Sequence, residues 1–189
     1  KKFLFLAATQ TLSTEYRYLD ADTPEESFEL VQPRERDHEY DVDHYQDRFY
    51  IRTNLDASNF RLMETPVSRP TREHWREVIP HREDVFFESF EVFQDHLVLV
   101  ERAEGLIKIF VKPWDGTEGH YVDFREPVYE AYPADNWDLT SGLLRYRYSS
   151  LTTPESAYDY DMVSREGKLL KRDEILGGYD PENYESLRL

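Results

Sequence analysis

"LVLVERAEGLIKIFVK", residues 97–112, places two strand-like apolar runs on either side of Ala103-Glu104-Gly105. Branched side chains suit a pleated surface, and a short link containing Gly between two such runs marks a hairpin. Working outward, the same pair recurs. "FLFLAAT" starts at Phe3, "FYIRTN" at Phe49 and "LRYRYSS" at Leu144, so with Leu97 the anchors step by 46, 48 and 47. Each is followed by a partner run: "EYRYLDA", "NFRLMET" and "AYDYDMV" beside "LIKIFVK". A further series reads "SFELVQP", "HWREVIP", "HYVDFRE" and "KLLKRDE", in which Phe28, Trp75, Tyr121 and Leu169 step by 47, 46 and 48. A last series, "YDVDHYQ", "FESFEVF" and "PVYEAYP", precedes the pair in three of the four cases.

Four short strands in a unit of about 47 residues is what a propeller blade requires. Period-2 alternation is plain in "YRYLDA", "AYDYDM" and "YDVDHYQ", and no segment sustains helical spacing for three turns. The acidic stretch 20–27 reads as polar loop. Turn chemistry is assigned to Thr14-Glu15, Ala57-Ser58-Asn59, Ala103-Glu104-Gly105 and Thr153-Pro154-Glu155. A sandwich or barrel would not require three successive near-equal steps. The expectation is therefore all-β: a propeller segment of about four blades of four antiparallel strands. Blades are expected near 1–38, 39–85, 86–126 and 127–175, with 176–189 as a hinge or exit. With one series short of a member, the chain is expected to begin inside a blade whose opening strand is missing.

Composition sets the outer limits. At 189 residues with 39% hydrophobic and 33% charged content, the chain suits one folded domain rather than disorder. No apolar run approaches the roughly 20 residues of a membrane span. Without Cys there is no disulfide, thiolate metal site or thiol nucleophile, which fits a cytoplasmic location. Net charge of −16 argues against nucleic acid or an anionic membrane as partner and favours cationic ligands.

Several polar clusters invite chemistry. "TREHWREVIPHRED", 71–84, spans the last strand of one blade and the link to the next, so Trp75 is read as a ring between neighbouring blades. His74 and His81, seven apart on extended chain, are too far apart to share a metal face. "HEYDVDH", 38–44, has metal-ligand residue types, but strand alternation separates Asp41 and Asp43 from Val42 and His44. No metal site and no cofactor is assigned. Asp41 and Asp43, Glu88 or Glu91, and Glu130 occupy first-strand positions and are candidates for steering cationic substrates. The "WD" pairs at Trp114 and Trp137 are 23 apart, not one blade apart. Gly177 and Gly178 read as a turn or hinge.

"TREHWREVIPHREDVFFESFEVFQDHLVLVERAEGL", and "LLRYRYSSLTTPESAYDYDM" with "KLLKRDEILGGYDPENYESLRL", resemble the propeller of the oligopeptidase B group within the prolyl oligopeptidase family of serine peptidases. The resemblance implies a seven-bladed propeller covering an α/β-hydrolase peptidase domain of the same parent chain. It implies cleavage of short basic peptides after Arg or Lys, with the propeller gating access by size. Four repeats would be the second half of that propeller. The catalytic elbow needs Gly-x-Ser-x-Gly, and none of the glycines at 105, 116, 119, 142, 167, 177 and 178 brackets a serine so. No catalytic residue is assigned, and the chain alone is expected to be inactive. Bare end blades would favour self-association. The alternative is an independent four-bladed binding module, closed by "NYESLRL" as the missing strand.

Overall fold

Among the described residues, 2–188, fifteen strands form four antiparallel sheets in the computed structural model. The first holds β1 (Phe3–Gln10), β2 (Ser13–Asp20) and β3 (Glu29–Gln32). The second holds β4 (Tyr40–Tyr45), β5 (Arg48–Thr53), β6 (Arg61–Pro66) and β7 (Arg76–Ile79). β8 (Val85–Val92), β9 (His96–Ala103), β10 (Leu106–Pro113) and β11 (His120–Tyr121) follow as the third. β12 (Glu130–Pro133), β13 (Leu143–Ser149), β14 (Ser156–Asp161) and β15 (Gly167–Arg172) complete the fourth. Every sheet is a simple meander in chain order, and each of the four recurrent series falls on its own strand position. Among the described residues the first sheet has three strands, with β1 at one edge. No helix among these residues is long and apolar enough to cross a membrane.

The chain divides into two compact units between Phe87 and Glu88. In the first, Phe3, Tyr18 and Val31 of one sheet meet Tyr40, Phe49, Ile51 and Met63 of the next. Phe49 is the centre, its ring 4.9 Å from Tyr18 and 5.6 Å from both Phe3 and Phe5. Edge-on contacts of this kind satisfy the ring quadrupoles while excluding water. Trp75 packs against the same cluster, 6.0 Å from Tyr40, with its indole N–H held by the Pro70 carbonyl at 2.7 Å.

In the second unit, Phe93, Val98, Ile109, Val111 and Val122 pack against Ala131, Leu144, Tyr146, Tyr148, Tyr160 and Met162. The LVLV run of β9 is covered on both faces, which is why it does not alternate. β13 alternates cleanly, with Leu144, Tyr146 and Tyr148 inward and Leu143, Arg145 and Arg147 outward. Glu104 and Gly105, at φ of 53° and 79°, form a two-residue turn whose twist matches the flanking strands.

Two expectations differ from the structure. The first hairpin turns at Thr11-Leu12, with Gln10 opposite Ser13, and Thr14 lies inside β2. Thr14 was attractive as a turn residue because its hydroxyl can bond backbone; it does so, but to Tyr40. Nor does the described part of "NYESLRL" form a strand. Tyr184–Arg188 lies in no strand, and Ser186 and Arg188 bond to Glu126 and Glu104 instead.

Candidate functional site: first strands and exit segment

The first strand of each complete sheet carries the carboxylates singled out above. On β4, alternation turns Val42 and His44 to the core, where His44 sits edge-on to Phe3 at 4.7 Å. Asp41 lies directly opposite Arg52 on β5 and accepts its Nη1 at 2.8 Å. Arg52 is nearly buried, its guanidinium 3.5 Å from the centre of the Phe60 ring, and its Nε donates to the Phe87 carbonyl at 2.6 Å. Among the described residues Asp43 accepts the amide of its neighbour His44 at 2.8 Å. Glu88 accepts Arg102 Nε at 2.7 Å, whereas Glu91, three residues on and so on the other face of β8, accepts Asn136 Nδ2 at 2.8 Å. Glu130 is exposed at the start of β12. Arginine thus offsets the charge of Asp41 and Glu88, while that of Asp43 and Glu130 faces no ion pair among the described residues.

"HEYDVDH" disperses. His38 is buried, its Nε2 2.9 Å from Thr53 Oγ1 and its ring stacked 5.1 Å from Tyr40. Burial holds its basicity below that of an ordinary imidazole. Among the described residues no group of three or more His, Asp or Glu could hold a metal ion. His74 lies in a 3-10 turn, and His81 meets Ser58 at 3.4 Å.

The exit from β15 passes through Gly177 and Gly178, at φ of 96° and 87°. At these φ angles on both residues, glycine adopts the backbone without a Cβ clash. Beyond them Tyr179 stacks on Tyr184, and Asp180 caps a 3-10 turn at Pro181–Asn183. Ser186 then docks, buried, on Glu126.

Glu126 was not foreseen. Its carboxylate accepts hydroxyls from Tyr148 at 2.6 Å, Ser150 at 2.7 Å and Thr153 at 2.8 Å, and also from Thr152 and, more distantly, Ser186. Burial alone would raise its pKa; the donors from Thr152, Tyr148, Ser150 and Thr153 outweigh that and hold it at about 2. The Tyr148 phenol is correspondingly pushed up, by burial first and by its bond to Glu126 second. The signal in the sequence was "SSLTTP": four hydroxyls in one hairpin imply an acceptor.

A family model described as "Prolyl oligopeptidase, N-terminal beta-propeller domain" matches residues 1–173. The chain belongs to the prolyl oligopeptidase family. Dipeptidyl aminopeptidase BI of Pseudoxanthomonas mexicana is 37% identical over 189 residues, all of this chain and 26% of that protein. Protease 2 of Moraxella lacunata is 27% identical over 188 residues, 27% of its length. Oligopeptidase B from Leishmania major superposes with a TM-score of 0.89 at 28% identity, covering 97% of this chain and 27% of that one. Oligopeptidase B from Trypanosoma brucei, with covalently bound antipain in a closed form, gives 0.87 at 30% identity, covering 96% and 27%. The chain therefore spans about a quarter of the length of these relatives. The four sheets are blades of a propeller domain that its relatives carry in longer chains.

Proposed function

We propose that this chain is the noncatalytic propeller part of an oligopeptidase B-like serine peptidase that hydrolyses short peptides after Arg or Lys. The observation that carries the reading is the match of all four sheets, over 97% of the chain, to an oligopeptidase B. Peptide-bond chemistry would belong to a peptidase domain elsewhere in the same parent chain. The propeller would gate and size-filter access, and Gly177 and Gly178 would serve as a hinge toward that domain. The bounds 1–38, 39–85, 86–126 and 127–175 remain the proposed blades, and a cytoplasmic location and self-association of the isolated chain are part of the same reading.

Steering is the specificity element. Negative net charge and the first-strand carboxylates favour cationic peptides at long range. Asp43 and Glu130 should carry most of it, since arginines offset Asp41 and Glu88. In the full-length protein, Asp43→Asn with Glu130→Gln should lower kcat/KM for a dibasic peptide by roughly threefold or more at low salt, the difference fading as salt rises. An unchanged salt dependence would remove steering. The 37% identity to a protein named dipeptidyl aminopeptidase BI supports a second reading, release of dipeptides. Products from a longer arginyl peptide separate the two: internal cleavage after Arg, or successive dipeptides.

A further inference from the structure

A cleft of about 810 Å³ runs between residues 120–126 and strands β13–β15, within the second unit. Its wall includes Arg125, Arg165 at the β14–β15 turn and Arg172 at the far end of β15. The chain has 39 acids against 23 bases, so an arginine readily finds a carboxylate. Several do, as Arg48 with Glu64, Arg52 with Asp41, Arg102 with Glu88 and Arg145 with Asp159. Around the cleft they do not. Among the described residues, Arg172 donates to neutral oxygens, Ser156 Oγ at 3.1 Å and Tyr158 OH at 3.2 Å. The exposed side chains of Arg125 and Arg165 form no hydrogen bond or ion pair there.

Two carboxylates, Asp123 and Glu126, also line the wall, so one of the three guanidinium charges is left uncompensated. Both oxygens of Glu126 are already occupied by hydroxyls. Among the described residues Asp123 bonds to none of the three guanidinium groups, and Glu126 is engaged by hydroxyls rather than by arginine. Flat rings complete the lining: Tyr146 stacks on Tyr158 at 5.3 Å and 9°, and Phe124 on Tyr148 at 5.6 Å and 19°. A concave site of this size, with aromatic rings and charged groups on its wall, suits a small molecule.

We propose that this cleft is a binding site for a small organic anion, a flat ring bearing a carboxylate or phosphate. The acid group is held by Arg125 and Arg165, the two guanidinium groups without a partner among the described residues of the wall, and the ring lies against the aromatic wall. Guanidinium forks match both oxyanions in geometry.

Calorimetric titration of the 189-residue chain tests it with four probes. Phenyl phosphate and benzoate carry ring and charge, benzamide is the uncharged isostere, and inorganic phosphate lacks the ring. Phenyl phosphate or benzoate should bind at least tenfold more tightly than benzamide and than inorganic phosphate, and their ratio tells which acid group is preferred. Arg125→Gln with Arg165→Asn should weaken binding at least tenfold with unchanged thermal unfolding, because both side chains are exposed and Asn tolerates the left-handed backbone at 165. Equal binding of benzamide or of inorganic phosphate, an unaltered affinity in the double variant, or no binding at millimolar probe would overturn the proposal.

Discussion

The hydroxyl of Thr14 and the backbone of Tyr40 exchange two hydrogen bonds: Thr14 Oγ1 accepts the Tyr40 amide at 2.7 Å and donates to the Tyr40 carbonyl at 2.8 Å. One side chain on β2 thereby does for the start of β4 what a ladder partner would do. The Tyr40 phenol returns the link, donating to the Gln32 carbonyl at 2.6 Å and accepting the Tyr16 amide at 2.9 Å. Neighbouring sheets of the first unit are joined by buried polar bonds as well as by rings.

Thr14→Val keeps the shape and removes both bonds, leaving a buried amide and carbonyl unpaired. It should destabilise the chain by about 1–3 kcal/mol, while Thr14→Ser should cost roughly 1 kcal/mol or less. Urea unfolding of the two variants checks the ranking.

Arg52 touches Asp41, Phe60 and the Phe87 carbonyl at once. Arg52→Met retains much of the stem but loses the charged hydrogen bonds and the contact with the ring. A loss of about 2–3 kcal/mol is expected, against about 1 kcal/mol or less for Asp41→Asn, whose carboxylate is half exposed. Denaturant midpoints of both variants measure the difference.

Glu126 makes acid stability specific. Its folded pKa of about 2 lies below the ordinary 4.5, so its contribution is complete above pH 4.5 and is lost as pH falls toward 2. Partial solvent screening limits this to about 1–2 kcal/mol. Thermal unfolding between pH 5 and pH 3 should fall less steeply in Glu126→Gln than in the wild type. Ser186→Ala should leave that slope in place and speed amide exchange in 184–188.

His38 works in the opposite sense to a salt-bridged histidine. Burial lowers its folded pKa, so the unfolded chain takes up the proton first, and stability falls as pH drops below about 6.5. His44 and His120 are lowered for the same first cause and add to the trend. Comparing urea midpoints at pH 7.5 and 5.5, His38→Asn should show a smaller decrease than the wild type.

The strands were legible because each sheet buries one face against a neighbour, which imposes alternation on "LRYRYSS" and a doubly covered run on "LVLVER". The spacing of Phe3, Phe49, Leu97 and Leu144 carried the repeat without any recognised motif. What stayed hidden depends on bonds between distant residues. Thr14 looks like a turn residue until Tyr40, 26 positions away, is seen beside it. Glu126 looks like one acid among many until the hairpin of Ser150 and Thr153 folds over it. The acidic first strands were visible as residue types, but which charges remain uncompensated depended on cross-strand register, as between Asp41 and Arg52.

The most direct test of the central claim is hydrolysis of an arginyl peptide amide by the purified 189-residue chain, run beside the proposed longer parent chain. Turnover by the longer chain, and none by the 189-residue chain at any concentration, is the expected result. Cleavage that rises in proportion to the concentration of the chain alone would contradict it.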